Sequence, residues 1–232
     1  VQPMLTAAQR CAVEEFLRDF PKNEQLVLPE RLSKQLLALA GFPVSVPVVA
    51  HTAMQAADAA EAFGYPVALK VESYVIQHKT DVGGLQDRAA VKEAFLQMDS
   101  AMKRLDPSAC VTVQPMAQSG FEVMLGAARL HDTPLMAAGM GGIYAEAFQD
   151  MAFRLAPLQE GQAERMLQSL RCAPVLNGFR TPPLDRAGVC QLLQRLSELM
   201  QAFAQIREVD LNPCRVYENG CAILDARIVL QL

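Results

Sequence analysis

Three side chains near the C-terminus carry oxygen atoms that could hold a hard cation. Asp210 and Asn212 lie in the segment VDLNPCRVY (209–217), and Asp225 lies in the following run CAILDARIVL (221–230). The Asn219-Gly220 pair between these runs predicts a two-residue hairpin loop. A carboxylate and an amide oxygen, completed by water and substrate phosphate, are ligands that Mg²⁺ accepts.

The register of this hairpin decides whether the three side chains meet. A two-residue loop pairs Glu218 with Cys221, and outward counting then places Cys214 opposite Asp225 and Asn212 opposite Arg227. Asn212 and Asp225 become diagonal neighbours, with Cβ atoms roughly 7 Å apart. An ordinary solvated strand edge explains the same residues, so both interpretations stay open from the hairpin alone.

A lysine and a polar loop in the first half of the chain could bind an anion. Lys70 stands near the end of the apolar run YPVALKVE (65–72), where it either reaches solvent at the sheet rim or faces a ligand. The loop HKTDVGG (78–84) combines His78 and Lys79 with two glycines. Imidazole can act as a nucleophile or phosphate acceptor, and glycine permits close backbone approach. A mobile surface loop is the alternative.

A third candidate is the glycine run Gly139-Met140-Gly141-Gly142, which follows an apolar strand pattern. It matches neither a P-loop nor the Rossmann fingerprint, because no Gly-Lys-Ser/Thr and no G-x-G-x-x-G is present. A tight structural turn explains it equally well.

The elements that must position these residues alternate between helix and strand, which indicates an α+β (α/β) layered fold. A first helix is predicted to end at Pro21. Further helices are predicted over 29–40, over 52–63 with a Thr52/Gln55 capping box, and through 91–105, 166–170 and 189–203. Strands are predicted at 65–72, 110–116, 121–130 and 134–140, and a polar loop over QHKTDVGG (77–84). A lobe boundary falls near 114–117.

Composition narrows the class of protein. The chain has 232 residues, a net charge of −4, 51% hydrophobic residues, six cysteines and no tryptophan. These values exclude a disordered or collagen-like chain. Mild acidity without a basic run argues against nucleic acid as a partner, and no apolar stretch approaches the roughly 18–20 residues of a membrane helix. Scattered cysteines without metal-ligand spacing and the lack of a secretory signal predict a cytoplasmic protein.

Taken in order, these segments resemble one family, the ATP-grasp domain of ADP-forming acyl-CoA synthetases, relatives of the succinyl-CoA synthetase β subunit. The similarity extends over nearly the whole chain from about residue 28. The matching segments are SKQLLALAGFPV (33–44), FGYPVALKVES (63–73), HKTDVGG (78–84), VQPM (113–116), FEVMLG (121–126), GMGGIYAE (139–146), DMAFRLAPL (150–158), LNGFR (176–180), EVDLNP (208–213) and LDARI (224–228).

The resemblance implies an ATP-grasp fold, in which two lobes clasp a nucleotide. It implies a helical lead at 1–27, lobe 1 at 28–113 and lobe 2 at 114–232, which carries the metal and nucleotide site. The implied cofactors are ATP/ADP and Mg²⁺, with Asn212 and Asp225 as metal ligands and His78 as a phosphoryl relay. The implied nucleotide-binding residues are Lys70, Lys79, Gln114, Pro115, Met116, Glu122, Gly141 and Gly142. Gln114–Met116 would meet adenine, and Glu122 the ribose.

The function implied is the ATP-binding part of an acid–thiol ligase that forms ADP: acid + CoA + ATP ⇌ acyl-CoA + ADP + phosphate. The implied partner is a CoA-binding domain or subunit, through which the carboxylic acid or acyl-CoA is handled. A nucleotide-sensing, non-catalytic module of a fused protein-lysine acetyltransferase is the alternative. A carboxylate–amine ligase fits less well, since the HKTDVGG loop is typical of the CoA-ligase branch.

Overall fold

The computed structural model describes residues 4–21, 25–73, 81–142 and 149–231. His78 and Lys79, predicted above as relay and nucleotide ligand, lie outside these residues. The chain forms two compact units, which we call the small unit (29–34 and 45–118) and the large unit (1–28, 35–44 and 119–232). The boundaries 1–27, 28–113 and 114–232 stay a prediction.

The small unit contains a four-stranded antiparallel sheet in the order β2-β5-β3-β4. Its strands are β2 (Val48–Ala50), β3 (Val67–Glu72), β4 (Asp81–Leu85) and β5 (Cys110–Pro115). Helices α3 (Ala53–Phe63) and α4 (Arg88–Met102) pack on one face of this sheet. Burial alternates along β3, because Val67, Leu69 and Val71 join the core under the helices. Lys70 therefore lies on the opposite face.

Strand β4 corrects the predicted polar loop at 77–84. Residues from Asp81 onward are extended and pair with β3, with Asp81 opposite Lys70 and Leu85 opposite Val67. Glycine is depleted in strands, so the local composition favoured a loop. Pairing to the neighbouring strand supplies the backbone hydrogen bonds that override this preference.

The large unit contains a seven-stranded antiparallel sheet in the order β1-β11-β9-β6-β7-β8, with β10 also paired to β9. The strands are β1 (Gln25–Leu28), β6 (Phe121–Leu130), β7 (Thr133–Met140), β8 (Met151–Leu155), β9 (Ile206–Val216), β10 (Cys221–Ile223) and β11 (Arg227–Gln231). Strands β1 and β8 at the two edges escaped the sequence analysis.

The helices are α1 (Ala7–Arg18), α5 (Gln162–Gln168), α6 (Ala173–Leu176) and α7 (Arg186–Ala202) in the large unit. Helix α2 (Glu30–Leu39) contributes its first residues to the small unit and the rest to the large unit. The guanidinium of Arg129 on β6 donates to the carbonyls of Met200 and Phe203, at the end of α7, and to that of Ile206. Among the described helices, none is both long and apolar enough to cross a membrane.

The C-terminal hairpin forms, but its predicted register is wrong by two residues. Cys221 pairs with Val216 instead of Glu218, and Cys214 pairs with Ile223 instead of Asp225. The loop has four residues, 217–220, and the N–H of Tyr217 donates to the carbonyl of Gly220 over 3.0 Å. The N–H of Gly220 donates to the carboxylate of Asp185 over 2.9 Å, which stabilises this longer loop.

The same shift continues along the ladder, so Arg227 lies opposite Asp210 instead of Asn212. Because side chains alternate with a period of two, a shift of two residues leaves every side chain on its original face. Strand β9 also has a bulge at Asn212 and Pro213, where its register against β6 changes between the pairs Leu211–Leu125 and Cys214–Val123. Proline cannot donate a ladder hydrogen bond, which is consistent with this irregularity.

Candidate functional site

In the small unit, the ammonium of Lys70 is held by a buried carboxylate. Its Nζ lies 3.0 and 3.1 Å from the two carboxylate oxygens of Glu30, at the start of α2. Asp81 on the paired strand is farther away, at 3.9 Å. The side chains of Lys70 and Glu30 are 13% and 7% exposed. Lys70 is therefore a fixed cation on the face of the sheet opposite α3 and α4, which suits an anionic ligand better than a solvated lysine would.

The same carboxylate also binds Lys34, one helical turn along α2. The Nζ of Lys34 lies 2.9 Å from Oε1 of Glu30 and donates to Oε1 of Gln114 over 3.0 Å. Sequence reasoning missed Glu30 and Lys34 as site residues. Their spacing of four residues was the available signal, but such pairs are usually on a solvated helix face. Two predicted nucleotide residues, Lys70 and Gln114, are thus linked through α2.

The predicted adenine-contacting residues lie at the end of β5. Pro115 pairs with Val67, and the N–H of Met116 donates to the carbonyl of Pro66 over 3.0 Å. An adenine base could accept a hydrogen bond from the N–H of Met116 only if the hydrogen bond from this N–H to Pro66 breaks. The role of Gln114, Pro115 and Met116 in binding adenine stays a prediction.

In the large unit, Glu122 forms an ion pair with a residue that the sequence analysis did not select. Strand pairing sets Glu122 opposite Arg215. Oε1 of Glu122 accepts from Nε of Arg215 over 3.0 Å and lies 2.9 Å from Nη2. Each side chain is about a quarter exposed. The ion pair fixes one carboxylate oxygen of the predicted ribose ligand.

Gly141 and Gly142, the two predicted nucleotide-binding glycines, pack directly against Glu122. The N–H of Gly141 donates to the carbonyl of Glu122 over 2.9 Å, and a Cβ on Gly141 would lie 2.5 Å from the Val123 carbonyl carbon. Gly142 has a φ of +66°, and a Cβ there would collide with Oε2 of Glu122. Only glycine fits at these two positions without a shift of β6 or of Glu122.

Gly142 also contacts a predicted metal ligand. Its N–H donates to Oδ1 of Asn212 over 3.2 Å. The structure therefore brings Glu122, Gly141, Gly142 and Asn212 into one continuous cluster. The second predicted ligand, Asp225, lies between β10 and β11, where its Oδ1 accepts from the N–H of Ala226 over 2.8 Å.

Asp210, the third oxygen-bearing side chain of the hairpin, joins this region, although the family resemblance implied only Asn212 and Asp225 as metal ligands. Burial raises the pKa of Asp210, and the negative charges of Glu208 and Asp225 raise it further, although Arg227 lowers it. Its Oδ1 is buried and has no hydrogen-bond partner within the described part of the chain. Buried polar atoms almost always have a hydrogen-bond partner. A buried carboxylate oxygen without one, close to a second carboxylate, therefore indicates a position where a cation could bind.

Among the described residues, no group of three or more His, Cys, Asp and Glu side chains has the arrangement of a metal site. The set Asp210, Asn212 and Asp225 contains only two carboxylates and an amide. Mg²⁺ accepts such a partial set, because it usually keeps several waters and takes one or two carboxylates plus substrate phosphates. The residues present therefore fit Mg²⁺.

Comparison with protein families identifies the chain. The model of an ATP-grasp domain matches residues 19–230. The chain belongs to the ATP-grasp family. This confirms the predicted fold, with its mixture of helices and sheets, and ATP binding follows from it.

Curated relatives of this ATP-grasp chain are ADP-forming CoA ligases. It is 35% identical over 221 residues to a 4-hydroxybutyrate–CoA ligase (ADP-forming) of Nitrosopumilus maritimus, covering 90% of this chain and 32% of that protein. It is 32% identical over 218 residues to the β subunit of acetate–CoA ligase (ADP-forming) I of Pyrococcus furiosus, covering 90% and 93%. The chain thus spans about a third of the first ligase and nearly all of the separate β subunit.

Solved structures agree with this assignment. Acetyl-coenzyme A synthetase 1 of Candidatus Korarchaeum cryptofilum, in complex with coenzyme A, Ca-AMPCP and HgCl⁺, matches with a TM-score of 0.85 and 29% identity, covering 96% of this chain and all of that one. Another structure of that synthetase holds coenzyme A and Mg-AMPPCP, and its phosphohistidine segment points towards the nucleotide-binding site. It matches with a TM-score of 0.78 and 27% identity, over 96% of this chain and all of that one.

Proposed function

We propose that this chain is the ATP-grasp part of an ADP-forming acyl-CoA synthetase, which catalyses acid + CoA + ATP ⇌ acyl-CoA + ADP + phosphate. The observation that carries the proposal is the match to 93% of a separate acetate–CoA ligase β subunit. In the Nitrosopumilus maritimus ligase the matched part is 32% of the protein, so about two-thirds of that protein lies outside it. The missing part of the reaction therefore belongs to a partner domain or subunit that binds CoA and the acyl group.

Lys70 binds the nucleotide phosphates in this proposal. Support comes from the side chain of Lys70, which is only 13% exposed, and from the neighbouring Lys34, a second cation at the same carboxylate. A fixed cation can neutralise charge on the phosphates without reorganising during the reaction. Catalysis of phosphoryl transfer depends mainly on such positioning and charge stabilisation. Lys79 would add a second cation.

The large unit binds the sugar and the cofactor. Glu122 accepts hydrogen bonds from the ribose hydroxyls, and Gly141 and Gly142 allow the nucleotide to approach the backbone closely. Gln114, Pro115 and Met116, which belong to the small unit, contact the adenine edge. Asn212 and Asp225, with Asp210, would hold Mg²⁺, which when bound would neutralise phosphate charge and orient the transferred group. The buried Oδ1 of Asp210 supports this assignment.

His78 relays the phosphoryl group. Its imidazole nitrogen attacks the phosphorus of a phosphohistidine on the partner, so one N–P bond forms while the other breaks and the partner histidine is released. A β-phosphate oxygen of ADP then attacks the same phosphorus, which yields ATP and regenerates the free imidazole. A phosphohistidine segment directed to the nucleotide site of a related synthetase is consistent with this relay.

The partner is a CoA-binding synthetase domain or subunit, and it handles the carboxylic acid or acyl-CoA. Nucleic acid and membranes are not partners in this proposal. We place the protein in the cytoplasm because all six cysteines are free thiols, as expected in a reducing compartment.

Calorimetric titration of the full chain with Mg-ATP tests the binding site. Lys70→Ala and Asp225→Ala should each weaken binding at least tenfold, because each removes a charged group that faces phosphate or metal. Lys103→Ala is the matched control, since Lys103 is 55% exposed and pairs with Asp99 on α4. Unchanged affinity in both site variants would mean that the site is misplaced.

A further inference from the structure

Two cysteine thiols contact each other in the C-terminal hairpin of the large unit. Strand pairing sets Cys214 opposite Ile223 and Cys221 opposite Val216. Because paired residues share a face and side chains alternate along a strand, Cys214 and Cys221 are diagonal neighbours on one face of the sheet. Their thiols are hydrogen-bonded to each other. The hairpin therefore brings together two sulfur atoms from adjacent strands, where one bond could join them.

The two thiols differ in their access to solvent. Cys214 has 0% of its surface exposed, whereas Cys221 is partly exposed. An oxidant that arrives from solvent therefore reaches Cys221 first, and Cys214 is in contact with the sulfur that has reacted. Redox-sensing sites have this arrangement, an accessible cysteine beside a second cysteine that closes the disulfide.

A disulfide between these cysteines requires the two strands to move closer together. The Cβ atoms of diagonal neighbours are roughly 7 Å apart, whereas a disulfide holds its Cβ atoms at about 3.8 Å. The loop between the strands is held by Asp185, whose N–H donates to the carbonyl of Tyr217 over 2.7 Å. The N–H of Gly220 donates to the Asp185 carboxylate over 2.9 Å. Movement of Cys221 towards Cys214 therefore pulls Gly220 away from Asp185.

Such a disulfide would be easy to reduce. A bond that forms only by distorting its surroundings is strained, and strained disulfides are the labile and regulatory ones. Disulfides in a reducing compartment are usually transient in the same way. The pair therefore suits a reversible signal better than permanent stabilisation of the hairpin.

The hairpin transmits this movement to the candidate nucleotide site. Cys214 pairs with Val123 on β6, directly after Glu122. Arg215, the next residue along β9, holds Oε1 of Glu122 through Nε and Nη2 at 3.0 and 2.9 Å. A shift of the backbone at Cys214 therefore moves the guanidinium that fixes this carboxylate.

We propose that Cys214 and Cys221 form a reversible redox switch, in which a hydroperoxide joins them in a disulfide that releases Gly220 from Asp185 and weakens nucleotide binding through Arg215 and Glu122. The effect on nucleotide binding rests on the proposed function. The formation of the disulfide and the release of the loop do not depend on it.

The chemical steps balance with hydrogen peroxide as the oxidant. The Cys221 sulfur attacks one peroxide oxygen, the O–O bond breaks, and Cys221 sulfenic acid and water are formed. The Cys214 sulfur then attacks the Cys221 sulfur, and the displaced hydroxide leaves as water with the proton of Cys214. Two thiols and one peroxide thus give one disulfide and two waters. A dithiol such as dithiothreitol reverses the change by thiol–disulfide exchange.

Peptide mass spectrometry of the full chain tests the disulfide. Trypsin cleaves after Arg215, between the two cysteines, so a Cys214–Cys221 bond links two separate peptides. We expect this linked pair after treatment with hydrogen peroxide and its loss after dithiothreitol. In the oxidised protein the amide of Gly220 should exchange with deuterium at least tenfold faster than in the reduced protein, because its bond to Asp185 is lost.

Calorimetric titration with Mg-ATP tests the link to the nucleotide site. Oxidation of the native protein should raise the Kd at least threefold, and dithiothreitol should restore it. Cys214→Ala and Cys221→Ala should each bind ATP equally well before and after peroxide, and either variant is sufficient if the other does not fold. Cys190→Ala is the matched control, since Cys190 is a partly exposed thiol on α7 outside the pair, and it should respond as the native protein does.

Three results would overturn the switch: no linked peptides from the peroxide-treated native protein, unchanged exchange at Gly220 in the linked protein, or unchanged ATP affinity after the link has formed. Failure of the proposed function looks different, because then the reduced native protein would not bind Mg-ATP. The linked peptides and the exchange at Gly220 would still decide whether the disulfide forms and releases the loop.

Discussion

Replacing Gly142 with alanine tests whether the glycine run is built for Glu122 or merely forms a turn. Gly142 has a φ of +66°, and a Cβ at this position would collide with Oε2 of Glu122. Gly220 provides a matched control in the same unit. It has a φ of +88°, and nothing lies within 4 Å of its Cβ position. Both alanines adopt an unfavourable backbone conformation, but only one displaces a side chain.

The two effects have separate magnitudes. A left-handed conformation costs an L-residue about 1–2 kcal/mol, so both variants should lose this amount in the free energy of unfolding. Gly142→Ala must also move the Glu122 carboxylate, whose other oxygen is bound by Arg215 at 2.9 and 3.0 Å. Loss of a ribose contact through this movement corresponds to about 1.4 kcal/mol, or a tenfold weaker affinity.

Urea unfolding measures the first effect, and calorimetric titration with Mg-ATP measures the second. We expect both variants to unfold at lower urea, whereas only Gly142→Ala should bind ATP at least tenfold more weakly. Equal ATP affinity in Gly142→Ala and the native protein would refute the reasoning that Gly142 is required for the placement of Glu122. Equal weakening in Gly220→Ala would show that general destabilisation explains the loss.

Three further predictions concern stability and reactivity. Arg129→Ala should lower the free energy of unfolding by at least about 2 kcal/mol in urea, because the carbonyls at the end of α7 lose a charged donor; a change below 0.5 kcal/mol would contradict this. Burial alone would raise the pKa of Asp150, but the N–H groups of Arg171 and Cys172 hold this pKa below its ordinary value. The stability advantage of the native protein over Asp150→Asn should therefore be complete above about pH 4 and shrink as the pH falls further. A pH-independent difference between the urea midpoints of the two proteins would refute this prediction. Burial raises the pKa of Cys172 to about 12. In the native protein, iodoacetamide at pH 8 should therefore modify the exposed Cys11 and spare Cys172, as measured by peptide mass spectrometry. Equal labelling of the two cysteines would contradict this prediction.

The sequence predicted the fold because its long elements are locally consistent. Helices α3, α4 and α7 end close to their predicted limits, since capping residues and apolar spacing agree there. The capping box at Thr52 forms only in part: Thr52 accepts from the N–H of Gln55, but the Gln55 side chain accepts from the N–H of His51. Strands β1 and β8 were missed because short edge strands carry little pattern of their own.

Contacts between distant residues explain what the sequence could not show. The hairpin register depends on Asp185, which lies 35 residues before Gly220 and binds its N–H. Arg215 was missed because its only distinction is the partner opposite it, Glu122. Lys34 and Glu30 have the spacing of an exposed helix pair, and only the tertiary structure buries them. The resemblance to a family supplied the site residues that local patterns left ambiguous.

In the proposed function, this chain transfers a phosphoryl group between ADP and a CoA-binding partner through His78. The most direct test combines the full chain with such a partner, acyl-CoA, phosphate and Mg-ADP, and measures ATP by luciferase together with acid-labile phosphate on the chain. We expect ATP and an acid-labile phosphoenzyme with the native protein, and loss of both with His78→Ala. No ATP from the native pair, or undiminished ATP with His78→Ala, would contradict it.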